Sequence, residues 1–506
     1  MPTRAKQNKT KPTSRAGDAL GLFEPWVAEW FRAYLGIPTS PQSMAWPLIS
    51  RGDHVLVHAP TGSGKTLAAF LWSLNSLYSG DATVAARTAK HDASARSGVQ
   101  VLYISPLKAL NNDVERNLRV PLAGIRDTAD RKGVDLPDIR VAVRTGDTPP
   151  SERAAMVRKP PHILITTPES LYLLLTSPKA REILSSVTTC IVDEIHTMCS
   201  EKRGVHLALS LERLERLSPG FQRIGLSATQ RPLEEVARFL GGQSVTSGPG
   251  GLNTTARPVS IVDAPYEKQI QLEVIGMPEQ AGSEFAGSVW PGLIPRLLED
   301  VRQHKTTLIF CNSRRQAERT ADRMNTQWAL EQPGAVEDES ENEWKLQAGF
   351  LGGGSTDGPF RAHHSSVSEE VRRDLERDLK AGRLPALVGT SSLELGIDIG
   401  SVDLVVQLQA PKSVTQGLQR VGRSGHNVGD ISRGRFYPLH AEDLVESAAV
   451  VRGMLDCDIE TVRTPRNALD VLAQQVVAIV STDTPAGAPD QDWPLTDLYR
   501  LIRGAH

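Results

Sequence analysis

The chain has 506 residues, 40% hydrophobic and 23% charged, and its 57 Lys plus Arg against 59 Asp plus Glu give a formal charge of −2. At roughly 100–200 residues per domain this is too long for a single small module, and the even balance excludes a wholesale basic footprint, so any surface for nucleic acid must be local. Cys190, Cys199, Cys311 and Cys457 suit neither a disulfide framework nor a zinc site, which predicts reduced thiols and a cytoplasmic location, and no apolar run reaches the ~20 residues of a membrane helix.

Residues 1–18 carry five basic residues and no acid before Asp18, the pattern of a disordered basic tail open to weak nucleic-acid contact. From 19 to 240, short β-branched runs alternate with helix-length stretches: VLVHA (55–59), VLYIS (101–105), VAVRT (141–145), ILITT (163–167), CIVDE (190–194) and RIGLSA (223–228). That alternation predicts an α/β domain with a parallel, doubly wound sheet. Leu207, Leu211, Leu214 and Leu217 step at helical intervals, as a covering helix would. GGQSVTSGPGG (241–251) is too rich in Gly and Ser for either element and predicts a linker, taken as 241–258. A second α/β domain over 259–455 follows from TLIFCN (307–312), ALVGT (386–390) and LVVQL (404–408). Stretches 79–98, 331–343 and 352–359 lack apolar periodicity and are expected to be surface insertions. At 465–480, Leu469, Leu472, Val476 and Ile479 predict one amphipathic helix with an uncovered apolar stripe, within a third unit (456–506) that is expected to be truncated.

The sharpest motif is APTGSGKT (59–66), directly after VLVHA and before an apolar helical stretch. Glycines let backbone amides curl around phosphate, the helix N-terminus favours the anion, Lys65 can reach the terminal phosphates, and the Thr66 hydroxyl can hold Mg²⁺. The strict pattern begins with Gly where this chain has Ala59, which leaves Gly62 and Gly64 to form the turn beside Thr61 and Ser63. In CIVDEIH, Asp193 and Glu194 close a strand, where one acid can anchor Mg²⁺ and its neighbour can polarise water. Taken alone, such a pair is as often a solvated pair as a catalytic one. QRVGRSGH (419–426) places Arg420 and Arg423 three apart in the second α/β half. Two arginines so spaced are usually a solvated helix face; with a phosphate loop upstream they can serve as arginine fingers across a cleft.

The ordered set of Gln42, APTGSGKT, SPLKAL (105–110), TTPESL (166–171), DEIH (193–196), SAT (227–229), IFCNSRRQAE (309–318), VGTSSLELGIDIG (388–400) and QRVGRSGH resembles superfamily 2 DEAD/DEAH-box-like helicases. KRGVHLALSLERLERL, AHHSSVS and PKSVTQGLQRVGRSGH make it similar to the Lhr (long helicase-related) family, from about residue 22 to the end. The resemblance implies two tandem RecA-like domains followed by the start of a winged-helix region. It implies an ATP-dependent, Mg²⁺-requiring helicase that moves 3′ to 5′ on single-stranded DNA and separates DNA or RNA–DNA duplexes, with a part in DNA repair. By the same resemblance Gln42 reads adenine, and Thr61, Gly62, Ser63, Gly64, Lys65, Thr66, Asp193 and Glu194 handle Mg·ATP. His196, Ser227, Thr229, Gln416 and Gln419 couple the motifs, Asp398 touches ribose, and Arg420 and Arg423 face the phosphates. Pro106, Lys108, Arg144, Thr167, Asn312, Arg314, His364 and Thr390 form the nucleic-acid track. Taken alone, Pro106, Thr167 and Asn312 read more readily as turn closures and Lys108 and Arg314 as solvated charges, while His364 reads equally as a loop histidine. Ser366, Gly389 and Ile195 depart from the family pattern at places where Gly, Ala and Val are usual, without removing a catalytic group. An RNA helicase, or a nucleic-acid-binding ATPase that unwinds poorly for want of downstream domains, are the competing expectations.

Overall fold

Each of the nine β-branched runs becomes a strand, because a continuous apolar stretch is stable as a strand only when both faces of its sheet are covered by helices. The computed structural model describes residues 19–506 apart from 61, 81–97, 229, 249–250, 265–268, 277–288, 333–357, 395–399, 401, 426–429 and 483–492. The tail 1–18 lies outside the described residues, as do most of the expected insertions at 79–98, 331–343 and 352–359.

The first sheet has seven strands in the order β3-β4-β2-β5-β6-β1-β9. They are β1 (Val55–His58), β2 (Val101–Ile104), β3 (Val141–Arg144), β4 (Ile163–Thr166), β5 (Thr189–Val192), β6 (Gln222–Ser227) and β9 (Ser260–Asp263), and all neighbours run parallel. Side chains alternate across it. Val55, Val57, Val101, Tyr103, Ile163 and Ile165 enter one core, while Leu56, Leu102, Ile104, Leu164, Cys190 and Val192 enter the other, the period-two signature of a strand. The second sheet has six strands in the order β10-β15-β14-β11-β13-β12. These are β10 (Ile270–Val274), β11 (Thr307–Phe310), β12 (Phe360–His363), β13 (Ala386–Gly389), β14 (Leu404–Leu408) and β15 (Ser432–Tyr437), again parallel throughout. Two tandem α/β domains of the expected class result.

Three expectations need correction. Residues 241–258 are not an unstructured linker: β7 (Gln243–Gly248) and β8 (Gly251–Ala256) pair as an antiparallel hairpin. The Gly- and Ser-rich composition misled because the helix Leu495–Gly504, more than 200 residues downstream, packs on this hairpin. β9 then joins the first sheet beside β1, so the first domain extends through Asp263 rather than ending at 240. Edge strands β9, β10 and β12 escaped detection because each has a single neighbour and lacks a continuous apolar run.

The third correction concerns the C-terminal helix, which spans Leu469–Thr482 and packs against the helix Lys202–Leu217 of the first domain. Its covered face is Val471, Gln475, Ala478 and Ile479, with Leu469 69% exposed, so the predicted stripe is rotated toward a partner that local sequence did not name. The buried Gln475 explains the rotation: its Nε2 donates to Ser210 Oγ at 3.2 Å and its Oε1 accepts from Arg213 at 3.3 Å. A face holding a polar residue looked like a solvent face. No helix among the described residues is long and apolar enough to cross a membrane.

Candidate functional site

The loop after β1 turns sharply at Gly62 (φ +81°) and Gly64 (φ +80°), a backbone region costly for side chains with a Cβ. Ser63 closes the turn on itself, its Oγ donating to Pro60 O at 2.7 Å. From there the helix Lys65–Ser79 starts, so its free N–H groups and its dipole face the space enclosed by the loop. Lys65 is buried, its Nζ 3.6 Å from Glu194 Oε1, and it has no hydrogen-bond partner among the described residues. A buried ammonium in that state fits a site built for an anion.

Gln42 lies against this loop. Its Oε1 accepts from Thr39 N at 2.9 Å, within a capping box that starts the helix Ser40–Ser50, and its Nε2 donates to Gly64 O at 3.2 Å. Thr39 Oγ1 donates to Ser63 O at 2.8 Å, so the segment braces the phosphate loop. The structure thus shows Gln42 as a brace of the loop; its contact with a base is not part of that geometry.

Beyond β5, Asp193 and Glu194 are both buried, and Glu194 sits at φ +44°, a strained conformation for a non-glycine residue at a functional turn. Burial and the adjacent Glu194 push the Asp193 carboxyl up to about 6, against the pull of Lys65 and of a hydrogen bond donated by Tyr103 Oη. For Glu194 burial acts upward too, yet Lys65, His196 and Arg423 hold it below the usual carboxylate range. Two adjacent acids are therefore driven apart, the arrangement that separates roles in a catalytic pair. Thr66, half-buried on the same first helical turn, and Asp193 are the residues that would hold Mg²⁺.

His196 is buried, and burial lowers its pKa to about 4, leaving the imidazole neutral at pH 7. Gln419 of the second domain donates its amide to His196 Nε2 at 2.9 Å. An amide nitrogen can only donate, so the imidazole proton resides on Nδ1, which faces Ser227 Oγ at 3.3 Å and Glu194 Oε2 at 3.5 Å. One histidine joins the water-side acid, the end of β6 and the second domain.

Gln416, Gln419 and Arg420 ride on the helix Val414–Val421, with Arg423 just beyond it. The two arginines differ. Arg420 is held inside its own domain, Nε donating to Glu394 Oε1 at 2.7 Å and Nη1 to Gln407 Oε1 at 2.7 Å and Asn312 Oδ1 at 3.2 Å. Gln416 Nε2 donates to the same Glu394 oxygen at 2.9 Å. Arg423 Nη2 donates to the Glu394 carbonyl at 2.6 Å, and its charge is felt by Glu194 across the cleft. Of the two arginines, Arg423 is the one whose charge helps hold Glu194 below the usual carboxylate range. Thr61, Thr229 and Asp398 lie outside the described residues.

On the other side, a cleft of 1620 Å³ separates the domains, lined by Arg116, Thr145 and Thr148 from the first and Arg377, Lys380 and Thr390 from the second. Of the expected track residues only Thr390 lines it, while Arg144 ends the strand next to Thr145, half-buried. Thr167 caps the helix Pro168–Thr176, and Pro106 accepts a hydrogen bond from Arg203 through its carbonyl. Asn312 is drawn into the Arg420 network, its Nδ2 donating to Ala410 O at 2.7 Å. Arg314 donates to Ser366 Oγ at 2.7 Å, and His364 pairs with Glu318 at 2.5 Å. Lys108 begins the helix Lys108–Asp130, its side chain outside the described residues. Tyr103, Glu394 and Gln407 were missed. Tyr103 was hidden in an apolar strand, although a buried phenol needs a partner. Glu394 and Gln407 act on residues they are remote from in sequence.

Known proteins are similar to this chain over these parts and over most of its length. The DEAD/DEAH box helicase family matches residues 39–237, and the helicase conserved C-terminal domain matches residues 340–427. A Lhr helicase/probable uracil glycosylase of Mycolicibacterium smegmatis is 49% identical over 482 residues, 93% of this chain and 30% of that protein. An ATP-dependent helicase Lhr-Core of Methanothermobacter thermautotrophicus is 43% identical over 494 residues, 97% of this chain and 51% of that protein. The solved structure of Mycobacterium smegmatis helicase Lhr bound to ssDNA and AMP-PNP matches with a TM-score of 0.79 and 46% identity, over 97% of this chain and 56% of that one. The chain spans about half or less of the length of these curated relatives.

Proposed function

We propose, from the premise that the chain belongs to the Lhr (long helicase-related) family of superfamily 2 helicases, that it hydrolyses ATP between its two α/β domains and uses the cycle to move along single-stranded DNA. The observation that carries this reading is the buried cluster of Lys65, Asp193, Glu194 and His196, met across the cleft by Gln419 and Arg423.

In that reading the loop amides and Lys65 bind the phosphates, and Thr66 and Asp193 hold Mg²⁺, which when bound neutralises phosphate charge. Glu194, kept ionised by Lys65 and Arg423, orients and polarises the attacking water. Arg423 approaches the developing charge only when the domains are together, so hydrolysis reports closure. His196, neutral and hydrogen-bonded by Gln419, relays the state of the second domain to Glu194 and Ser227.

The finer assignments are movement from 3′ to 5′, separation of DNA or RNA–DNA duplexes, and a role in DNA repair. They are supported by the family membership and by the ssDNA in the solved Lhr complex. Arg116, Arg377 and Lys380 on the walls of the interdomain cleft suit a motor that grips phosphates without reading sequence. ATPase assays with no nucleic acid, single-stranded DNA or RNA, followed by strand displacement on 3′- and 5′-tailed duplexes, test the proposal. Stimulation by DNA and displacement confined to the 3′-tailed duplex are expected. Turnover indifferent to nucleic acid would overturn it.

A further inference from the structure

The segment that leaves the second domain touches both halves of the ATP site within three residues. After the helix Ala441–Asp456 the chain turns at Cys457, and the Glu460 carboxylate then reaches the start of the helix Val414–Val421. Glu460 Oε1 accepts from Val414 N at 2.6 Å, and Oε2 accepts from Thr415 N at 3.1 Å and Thr415 Oγ1 at 2.8 Å. Ser413 Oγ accepts from Gln416 N at 3.1 Å, so the first three N–H groups of the arginine-bearing helix are all satisfied from outside it.

One residue further on, Thr461 pairs in parallel with Arg231, and Val462 N donates to Arg231 O at 2.8 Å. Val462 packs on the first domain's core. Arg231 follows the end of β6 by four residues and the SAT motif by two, and its Nη1 lies 3.2 Å from Asp263 Oδ2. Asp263 ends β9, and its Oδ1 lies 2.8 Å from His58 Nδ1, at the end of β1 directly before the phosphate loop. Two residues of extended backbone span at most ~7 Å, so apart from the reach of the Glu460 side chain there is little slack between the two anchor points while both sets of bonds hold.

We infer that residues 460–462 form a positioning strap that sets the distance between the Val414–Val421 helix and the end of β6, and so places Gln419 against His196 and Arg423 toward Glu194. Glu460 is a positioning residue: it touches no substrate and acts through the helix it caps. The strap also gives anything bound downstream of residue 462 a direct mechanical path to hydrolysis. The inference deepens the ATPase proposal and rests on it for its kinetic readout.

The test lengthens the strap between its two anchors by inserting Gly-Gly between Glu460 and Thr461, which leaves the cap on one side and the Thr461–Val462 pairing with Arg231 on the other, and separately removes the cap with Glu460→Ala. The insertion should keep the thermal midpoint and the KM for ATP while kcat in saturating single-stranded DNA falls about tenfold, given that a 1 Å misplacement can cost on the order of 10²-fold. Glu460→Ala should speed amide exchange at Val414 and Thr415, and also at Val462 and β6 in the other domain. An insertion variant with parental kcat, or exchange changes confined to 414–416, would overturn the strap. If the parent chain itself failed to hydrolyse ATP, the ATPase proposal would fall. Exchange with and without AMP-PNP would then still decide the strap, by the same criterion of coupled or local change.

Discussion

The two halves of the ATP site are built on different plans. In the first domain, each functional group sits at the end of the strand that carries it: Lys65 after β1, Asp193 and Glu194 after β5, Ser227 at the end of β6. In the second, Arg420 and Arg423 depend on groups distant in sequence, with Glu394, Gln407 and Asn312 holding the guanidinium of Arg420 and Glu460 capping its helix. The first half is preorganised by its own strands, whereas the second is held as a network and can be shifted as one body. If hydrolysis is coupled to movement as proposed, that asymmetry would let the network half shift as a unit against the preorganised one.

Breaking the preorganised half should have the largest effect. Glu194→Gln removes the acid that polarises water and should lower kcat by on the order of 10²–10⁴-fold while ATP binding, read by a fluorescent analogue, survives. Near-normal turnover would remove Glu194 from that role. In the network half the two arginines should separate. Arg423→Ala should lower kcat by about 10²-fold or more with unfolding unchanged, as fingers elsewhere are worth still more. Arg420→Ala leaves Glu394 buried without its partner and should also destabilise the second domain by about 3–5 kcal/mol, seen in urea unfolding. If both variants lost activity with no loss of stability, the distinction between them would be wrong.

A smaller effect sharpens the first half. Tyr103 stabilises ionised Asp193, whose carboxyl is pushed up to about 6, so as pH falls through that value the carboxylate proposed to hold Mg²⁺ is lost. Tyr103→Phe removes a bond that favours the charged form, so the Asp193 pKa rises further and the acid limb of kcat/KM moves to higher pH. A hydrogen bond to a charged group is worth ~1.5–3 kcal/mol, so the limb should move by about one to two pH units and leave the rate above about pH 9 little changed. A limb displaced to lower pH, or an equal loss at every pH, would contradict this.

The asymmetry also explains what the sequence revealed. The phosphate loop, DEIH and the buried strands were legible because short, local patterns specify them: apolar runs, two glycines, an acid pair. Arg420 and Arg423 were legible as candidates, but their separation was not, since it depends on Glu394 and Gln407. Gln42 was legible as part of the site, yet its brace on Gly64 O requires a loop 22 residues later. The β7–β8 hairpin and the strap escaped for one reason: the helix that packs on the hairpin and the Arg231 that pairs with Thr461 each lie more than 200 residues away, a separation that composition and periodicity do not carry.

The C-terminal helix gives the smallest expected effect and the cleanest control on that lesson. Its pattern of Leu469, Leu472, Val476 and Ile479 nominates Leu469 as core, whereas in the fold Leu469 is 69% exposed and Gln475 is fully buried. If periodicity alone ruled, Leu469→Ala would be the damaging change. With the observed packing, that variant should stay within ~0.5 kcal/mol of the parent, as surface substitutions do. Gln475→Ala strips a partner from Ser210 Oγ, the His206 carbonyl and Arg213, buried groups that water cannot readily reach. Leaving such groups unsatisfied costs about 1–3 kcal/mol, which should appear in the unfolding of the first domain because the helix rests on Lys202–Leu217. The reverse order of the two variants would mean that this helix does not rest there, and that its apolar stripe belongs to a different contact.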